Sequence, residues 1–397
     1  MGRPLNAKIY STIEDVPRKQ WAGLASNFSR TQDYEFWRTI ERSNLNDFDY
    51  RYAVFTDEAG EPAILLSFYT VTTDMAIFAP AGLRNILAGI RRISPNFLKI
   101  RTLECGTPVT LTSPPYIIRE DISTEEAITA VNNLLMGICR DEGHFILVIR
   151  DLEQNAADHC PIYRHFGYHL VDSLPNTHME IRWNTFDEYL ASMKSYYRCK
   201  TVKYLRRNEK ELVSYKVVDD FHDMAEILHA QWQKVYDHAA EFQREILTPS
   251  FYREFSERLG KSSKVILFYR REKLVGHALL MVDGSMLRWL YFGREEAGND
   301  DLYLYVAQKV VETAINLKAG QLEMGLTTYP IKQDLGARIT PIKFALRARS
   351  KMINPFVGFF YALMNDSPGL KDKEVFKKSP NLAAPCRPAK RVTGAIV

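Results

Sequence analysis

The chain has 397 residues, 46% of them apolar and 25% charged, with a net charge of +4. That length fits two domains of ordinary size better than one core, and the composition is that of a soluble globular protein. The mild charge argues against a dedicated nucleic-acid binder, and no apolar run reaches membrane-spanning length. The five cysteines (Cys105, Cys139, Cys160, Cys199 and Cys386) lack zinc or redox spacing and read as reduced thiols. Residues 1–10 lack the apolar run of a secretion signal. The expected location is cytoplasmic, with peripheral contact at the inner membrane surface as an option. No metal site is expected. Asp158-His159-Cys160 and the His165/His169 pair are the only clusters worth checking, and Gly167 interrupts the second.

Helical spacing predicts helices over 13–26, around Trp21, and over 34–43. Strands over 51–56 and 63–70, joined by a Gly/Pro turn, form an antiparallel hairpin, and 98–105 is a further strand. After a loop carrying Pro108, Pro114 and Pro115 comes a helix over 124–140. It opens with the capping box Ser123-x-x-Glu126 and stops at Asp141-Glu142-Gly143. A strand over 145–150, a helix over 156–166 and a strand around Leu170 complete the first half. Ser173-Leu-Pro-Asn176 is the linker.

The second half opens with a strand over 177–183. A helix follows from Asn184-Thr185, with Phe186, Tyr189, Leu190 and Met193 on one face, and the basic segment 197–212 continues it. A strand over 215–218, a helix over 223–235 and a charged loop over 237–249 come next. Strands 264–269 and 274–282 form a second hairpin. A strand over 285–293, a helix from Asp301, a strand over 321–324 and a helix lead through Leu335-Gly336-Ala337 into another strand. The apolar stretch 353–364 (INPFVGFFYALM) is too short to span a bilayer, and a basic, Pro-containing tail closes the chain.

Hairpin, strand, helix, strand, helix, strand thus occurs twice. This order resembles the GNAT (acyl-CoA N-acyltransferase) fold, and the second half resembles the FemAB-like branch, in which two such domains share one chain. Several features carry the resemblance: Tyr189-Leu190, the basic run Arg198, Lys203, Arg206, Arg207 and Lys210, and Leu290-Tyr291-Phe292-Gly293-Arg294. Leu304-Tyr305, Gly325, Lys332 and Gly336 complete it. The fold it implies is α+β, with two tandem GNAT-like domains over 1–175 and 176–352, each a mixed, mostly antiparallel sheet flanked by helices. Residues 353–397 form the apolar segment and tail. The function it implies is N-acyl transfer to a small-molecule or lipid-like amine. Acyl-CoA or an acyl carrier protein would be the donor substrate, without a tightly bound cofactor. An aminoacyl-tRNA-dependent transferase and a non-catalytic binding module are the alternatives. One departure concerns the turn that meets the CoA pyrophosphate in GNAT enzymes. Here it is Gly293 to Asp301, where Glu295, Glu296, Asp300 and Asp301 would repel a diphosphate.

In that fold the fourth and fifth strands splay apart, and their amides polarise the acyl carbonyl without a nucleophilic side chain. The splayed pair falls at 287–293 and 321–325. Glu323, between Leu322 and Met324, is a candidate base with a raised pKa, or a salt-bridged strand residue. Tyr329 is a candidate acid, or packing beside Pro330. His277 is a candidate by its neighbouring strand, or a core histidine, and Tyr291 lies near the cleft. Lys203, Arg206, Arg207 and Lys210 share a helical face and, with Arg198, are candidates for donor phosphate. Lys332 is placed like the lysine of similar FemAB-like proteins, for donor phosphate or a substrate carboxylate. The segment 353–364 is a candidate for peripheral membrane contact.

Overall fold

The computed structural model describes residues 5–74, 76, 81–109, 111–153, 160–239, 245–296, 301–364 and 370–377. The expected tail from residue 379, the Asp158-His159 pair, and parts of the 237–249 loop and the Gly293–Asp301 turn lie outside them. The first strands are β1 (Asn6–Tyr10), β2 (Asp49–Thr56), β3 (Pro62–Asp74), β4 (Lys99–Cys105), β5 (Tyr116–Ile118), β6 (Ile146–Glu153) and β7 (His169–Asp172). The next are β8 (Asn176–Glu180), β9 (Val213–Val218), β10 (Ser263–Arg270), β11 (Lys273–Asp283), β12 (Met286–Arg294), β13 (Gln321–Glu323), β14 (Arg338–Thr340) and β15 (Ile342–Ala348). The helices of the first half are α1 (Arg18–Ala25), α2 (Tyr34–Arg42), α3 (Ala81–Arg91), α4 (Thr124–Asp141) and α5 (Cys160–His165). Those of the second are α6 (Phe186–Ser192), α7 (Ser195–Lys210), α8 (Ala225–His238), α9 (Pro249–Leu259), α10 (Leu302–Asn316), α11 (Tyr329–Asp334) and α12 (Asn354–Met364).

Two mixed sheets form. The first runs β1-β2-β3-β4-β6-β15-β7, with β5 beside β3, and the second runs β14-β8-β13-β12-β11-β10-β9. One strand crosses between the halves. The second sheet is built wholly from β8 to β14, with β8 between β13 and β14, while β15 leaves the second half and enters the first sheet between β6 and β7. The boundary expected at residue 352 is therefore corrected, because 342–348 completes the first sheet. After α12 the chain crosses again, and Phe376 bridges Met193 of the second unit.

The hydrophobic patterns explain the layering. α4 begins at the predicted capping box, with Ser123 Oγ accepting from the Glu126 amide, and buries Ala127, Ile128, Val131 and Leu135 against one face of the first sheet. α10 does the same for the second sheet through Val306, Ala307, Val310 and Ala314. The remaining face of each sheet contributes to one shared core, where Trp21, Phe36, Trp37 and Tyr52 meet Phe251, Tyr252, Phe255 and Leu279.

Candidate functional site

The site arises where two parallel strands part. β12 and β13 pair at Met286↔Gln321, Leu287↔Leu322 and Arg288↔Glu323 only; β12 then continues to Arg294 while β13 ends. A bulge adds to the divergence. Leu279 opposes Tyr291 and Leu280 opposes Trp289, so Leu290 is an extra residue in β12. Such a bulge bends its strand and re-aims it. On the other side, Gly325 (φ 75°), Thr327 (φ 63°) and Thr328 (φ 50°) hold left-handed backbone. Two β-branched residues there are strained and require surroundings that fix them. Lys332 Nζ supplies part of that support, donating to the carbonyls of Gly325 at 3.0 Å and Leu326 at 2.6 Å.

Between these arms lies a cleft of about 240 Å³. Its aromatic walls are Trp232, Tyr236, Trp289, Tyr291, Phe292 and Tyr303, and loop 324–328 closes one side with Glu245 and Lys332. Tyr303 stacks on Trp289 with centroids 5.5 Å apart and meets Phe292 edge-on at 5.2 Å. Burial pushes its phenol up to about 12, and a hydrogen bond with the Thr328 side chain offsets part of that rise. It is therefore a protonated donor at neutral pH. Tyr291 Oη donates to Glu245 Oε1 at 2.7 Å, which puts a carboxylate at the cleft. Past Arg288, the β12 backbone on the β13 side faces the cleft rather than a neighbouring strand. Main-chain amides aimed this way can stabilise a developing oxyanion.

Of the residues expected at the site, Tyr291 and Lys332 line the cleft. Lys332 is buried, contrary to a solvated helix lysine, and burial lowers its ammonium to about 7 against the opposing charge of Glu323.

Glu323 does not have the raised pKa of a base. Burial alone would push its carboxyl up, but Arg288, His178 and Asn176 hold it at about 2. It pairs with Arg288 and accepts from Asn176 Nδ2 at 2.9 Å and from the Thr112 amide at 3.2 Å. Arg288 also reaches Asp283 Oδ2 at 2.8 Å, and Asp283 accepts from Ser29 Oγ at 2.6 Å, so this buried network joins the two units.

Tyr329 Oη donates to the Pro175 carbonyl at 3.0 Å and lies outside the cleft lining, so it is not the proton donor expected. His277 is a core histidine. Its Nδ1 lies 3.0 Å from Gln231 Oε1 and its Nε2 3.1 Å from Tyr252 Oη, and burial drops it to about 3. Gly293 faces it across the β11–β12 pair, and a Cβ there would stand 2.2 Å from His277 Cε1.

Arg198, Lys203, Arg206 and Arg207 lie on α7, away from the cleft, and Arg207 pairs with Asp301 at the start of α10. Glu295 pairs with Lys234 at 3.0 Å, so two of the acids expected to repel a diphosphate are already answered.

The sequence reading missed Tyr303, Trp289, Glu245 and Arg288. Tyr303 carried a usable signal, since it lies on the first turn of the helix after the splayed strand. Glu245 carried none, because it sits in a loop. In the first sheet the corresponding strands, β4 and β6, part after Cys105↔Ile149. There, a cavity of about 10 Å³ remains between Arg150, Asp151, Thr112 and Leu326. Among the described residues no three His, Cys, Asp or Glu side chains gather as a metal set, and His169 Nε2 instead bonds the Asn354 carbonyl at 2.8 Å.

Two mixed sheets, the second with strands that part around an aromatic cleft, form the architecture that was compared with known proteins. No protein-family model matches the chain. FemX superposes with a TM-score of 0.54 over 86% of this chain and 96% of its own, at 11% identity. The C-terminal domain of a putative lysylphosphatidylglycerol synthetase from Agrobacterium fabrum gives 0.51 over 87% and 94%, at 10% identity. A tandem GNAT protein from the clavulanic acid biosynthesis pathway gives 0.50 over 87% and 99%, at 12% identity. The chain has the tandem GNAT fold, in the two-unit arrangement of FemX. In sequence it is 26% identical over 321 residues, 79% of this chain, to putative 8-amino-7-oxononanoate synthase 2 of Mycobacterium tuberculosis. It spans 42% of that relative's length. No helix among the described residues is long and apolar enough to cross a membrane.

Proposed function

We propose that this chain transfers an activated acyl group directly to an amine in the β12/β13 cleft. The observation that supports this reading best is the parting of β12 from β13 after three residue pairs, with the Leu290 bulge beside it. The donor is a thioester, acyl-CoA or acyl carrier protein, and the acceptor a small or lipid-like amine that enters between Tyr236, Tyr291 and Glu245. The amine nitrogen attacks the carbonyl carbon while β12 amides hold the oxyanion. The C–S bond breaks as the C–N bond forms. The Glu245 carboxylate takes the amine's proton and Tyr303 gives one to the departing sulfur. Each group touches the cleft, so no enzyme-bound acyl intermediate is required.

Aminoacyl-tRNA as donor is the second reading, the alternative that the FemAB-like resemblance implies. Against it, the 14-residue α8 and 11-residue α9 leave no coiled-coil arm between β9 and β10 among the described residues. Because the match to the mycobacterial synthase spans 42% of that protein, its named activity gives this chain no assignment.

The test is turnover of acyl-CoA and acyl carrier thioesters with a panel of amines, reading thiol release and the mass of the amide. The expected result is amine-dependent, RNase-insensitive release. Tyr303→Phe should lower kcat by about 100-fold with the thermal midpoint retained. RNase-sensitive transfer from charged tRNA would replace the donor. Ligand retention without any amide product would leave a binding module and end the catalytic reading.

A further inference from the structure

A second surface, on the first unit, combines charge and apolarity in a way the acyl-transfer site does not use. α12 is pinned along one stripe. Val357 and Tyr361 pack with Ile146, Val171 and Leu346, Gly358 lies against the His169 ring, and Asn354 Nδ2 donates to the Gly167 carbonyl at 2.8 Å. The opposite stripe is largely exposed: Met352 is 86% exposed, Ile353 39%, Phe356 58% and Phe359 64%. Four large apolar side chains on one short segment form an uncommon feature for a monomer surface.

At the N-terminal end of that stripe, Lys351, Asn354 and Pro355 also line a separate cavity of about 610 Å³. Its other charged or titratable walls are Arg140, Arg347 and His165, and among the described residues no carboxylate lines it. Arg347 is anchored by donating to Asn132 Oδ1, another lining residue, at 3.1 Å. No carboxylate of the described residues lies within ion-pair distance of Arg140, Arg347 or Lys351. The cavity is therefore built for an anionic group, and the exposed aromatic stripe begins at its rim. A helix face of aromatic and aliphatic side chains beside cations that no described carboxylate neutralises is the pattern that partitions into a charged bilayer interface.

We propose that this face docks the protein on an anionic lipid surface. A lipid phosphate enters the Arg140–Arg347–Lys351 cavity, and Met352, Ile353, Phe356 and Phe359 enter the acyl boundary. The inference does not rest on the acyl-transfer reading, because none of these residues lines the β12/β13 cleft.

The experiment is co-sedimentation of the full chain with vesicles of phosphatidylcholine alone and of equimolar phosphatidylcholine and phosphatidylglycerol. Partition into the anionic vesicles, weakened by salt, is expected. The Phe356→Ser/Phe359→Ser variant should lose roughly tenfold per phenylalanine, and Lys351→Ala about fivefold. Both changes lie at exposed positions, and an unchanged thermal midpoint confirms that folding is intact. Three outcomes overturn the proposal: equal partition into both vesicle types, undiminished partition of the double variant, or no partition at all. Titration with inorganic phosphate separates the sources. Phosphate binding without vesicle binding assigns the cavity to a soluble anion, and self-association abolished by the double variant assigns the stripe to a second copy of the chain.

Discussion

Glu323 and Lys332 are both buried near the cleft, and their charges are handled by opposite means. Glu323 is surrounded by donors and a guanidinium, so its carboxylate is held ionised, at about 2. Lys332 meets two carbonyl oxygens and is held near 7, mainly by burial. Glu323→Gln removes one of the two carboxylates that pair with Arg288 among the described residues and is expected to cost about 3 kcal/mol, measured by urea denaturation. Because the folded pKa lies below the unfolded value, this contribution is complete above about pH 4.5. It is lost as pH falls toward 2. For Lys332 the unfolded chain holds more protons between pH 7 and about 10.5, so stability rises with pH across that window. Lys332→Met should remove this rise, read as the difference between wild-type and variant unfolding curves. Neither environment was legible locally. Leu322 and Met324 suggest an apolar pocket for Glu323, but its carboxylate is set by Thr112, 211 positions away, and by Asn176, 147 away.

At the scale of elements, α8 packs on β12 and walls the cleft with Trp232, Val235 and Tyr236. Gly293 makes that approach possible, since its missing Cβ leaves room for the His277 ring and for the Trp232 backbone, which would lie 2.7 Å from a Cβ. Gly293→Ala is expected to destabilise by about 2 kcal/mol through overpacking and to lower turnover by shifting β12. Thermal unfolding and kcat measured together check this. Elements with long periodic patterns were legible: α4 with its capping box, the β2–β3 and β10–β11 hairpins, and the β12–β13 pair itself. Others were not. α9 begins with a Thr248 cap and Pro249 at its first turn, but the charged loop before it masked the start. The segment read as one helix over 184–212 is two, because Met193 leaves helical backbone between α6 and α7. The Leu290 bulge leaves no trace in a continuous apolar run, although it shapes the site.

At the scale of the molecule, the tandem repeat was visible in the order of elements, but its interleaving was not. Strand pairing between β6 and β15 joins residues from opposite halves of the chain, such as Leu152 and Lys343, and periodicity carries no information about such partners. A chain truncated after Thr340 would leave β6 and β7 without the strand that sits between them. It is expected to lose cooperative unfolding of the first unit, checked by hydrogen exchange on β4 and β6 amides. Two short connections, β7 to β8 and β14 to β15, tie the units together, and the cleft lies wholly within the second.

The strand that fills the gap between β6 and β7 also has a consequence for biosynthesis. On the ribosome, the amino-terminal sheet stays incomplete until the second sheet has been made, because β15 follows β8 to β14 in the chain. Domain-by-domain folding during translation is therefore closed to this protein. Its nascent first half waits with two exposed strand edges, which makes it a natural client for chaperones.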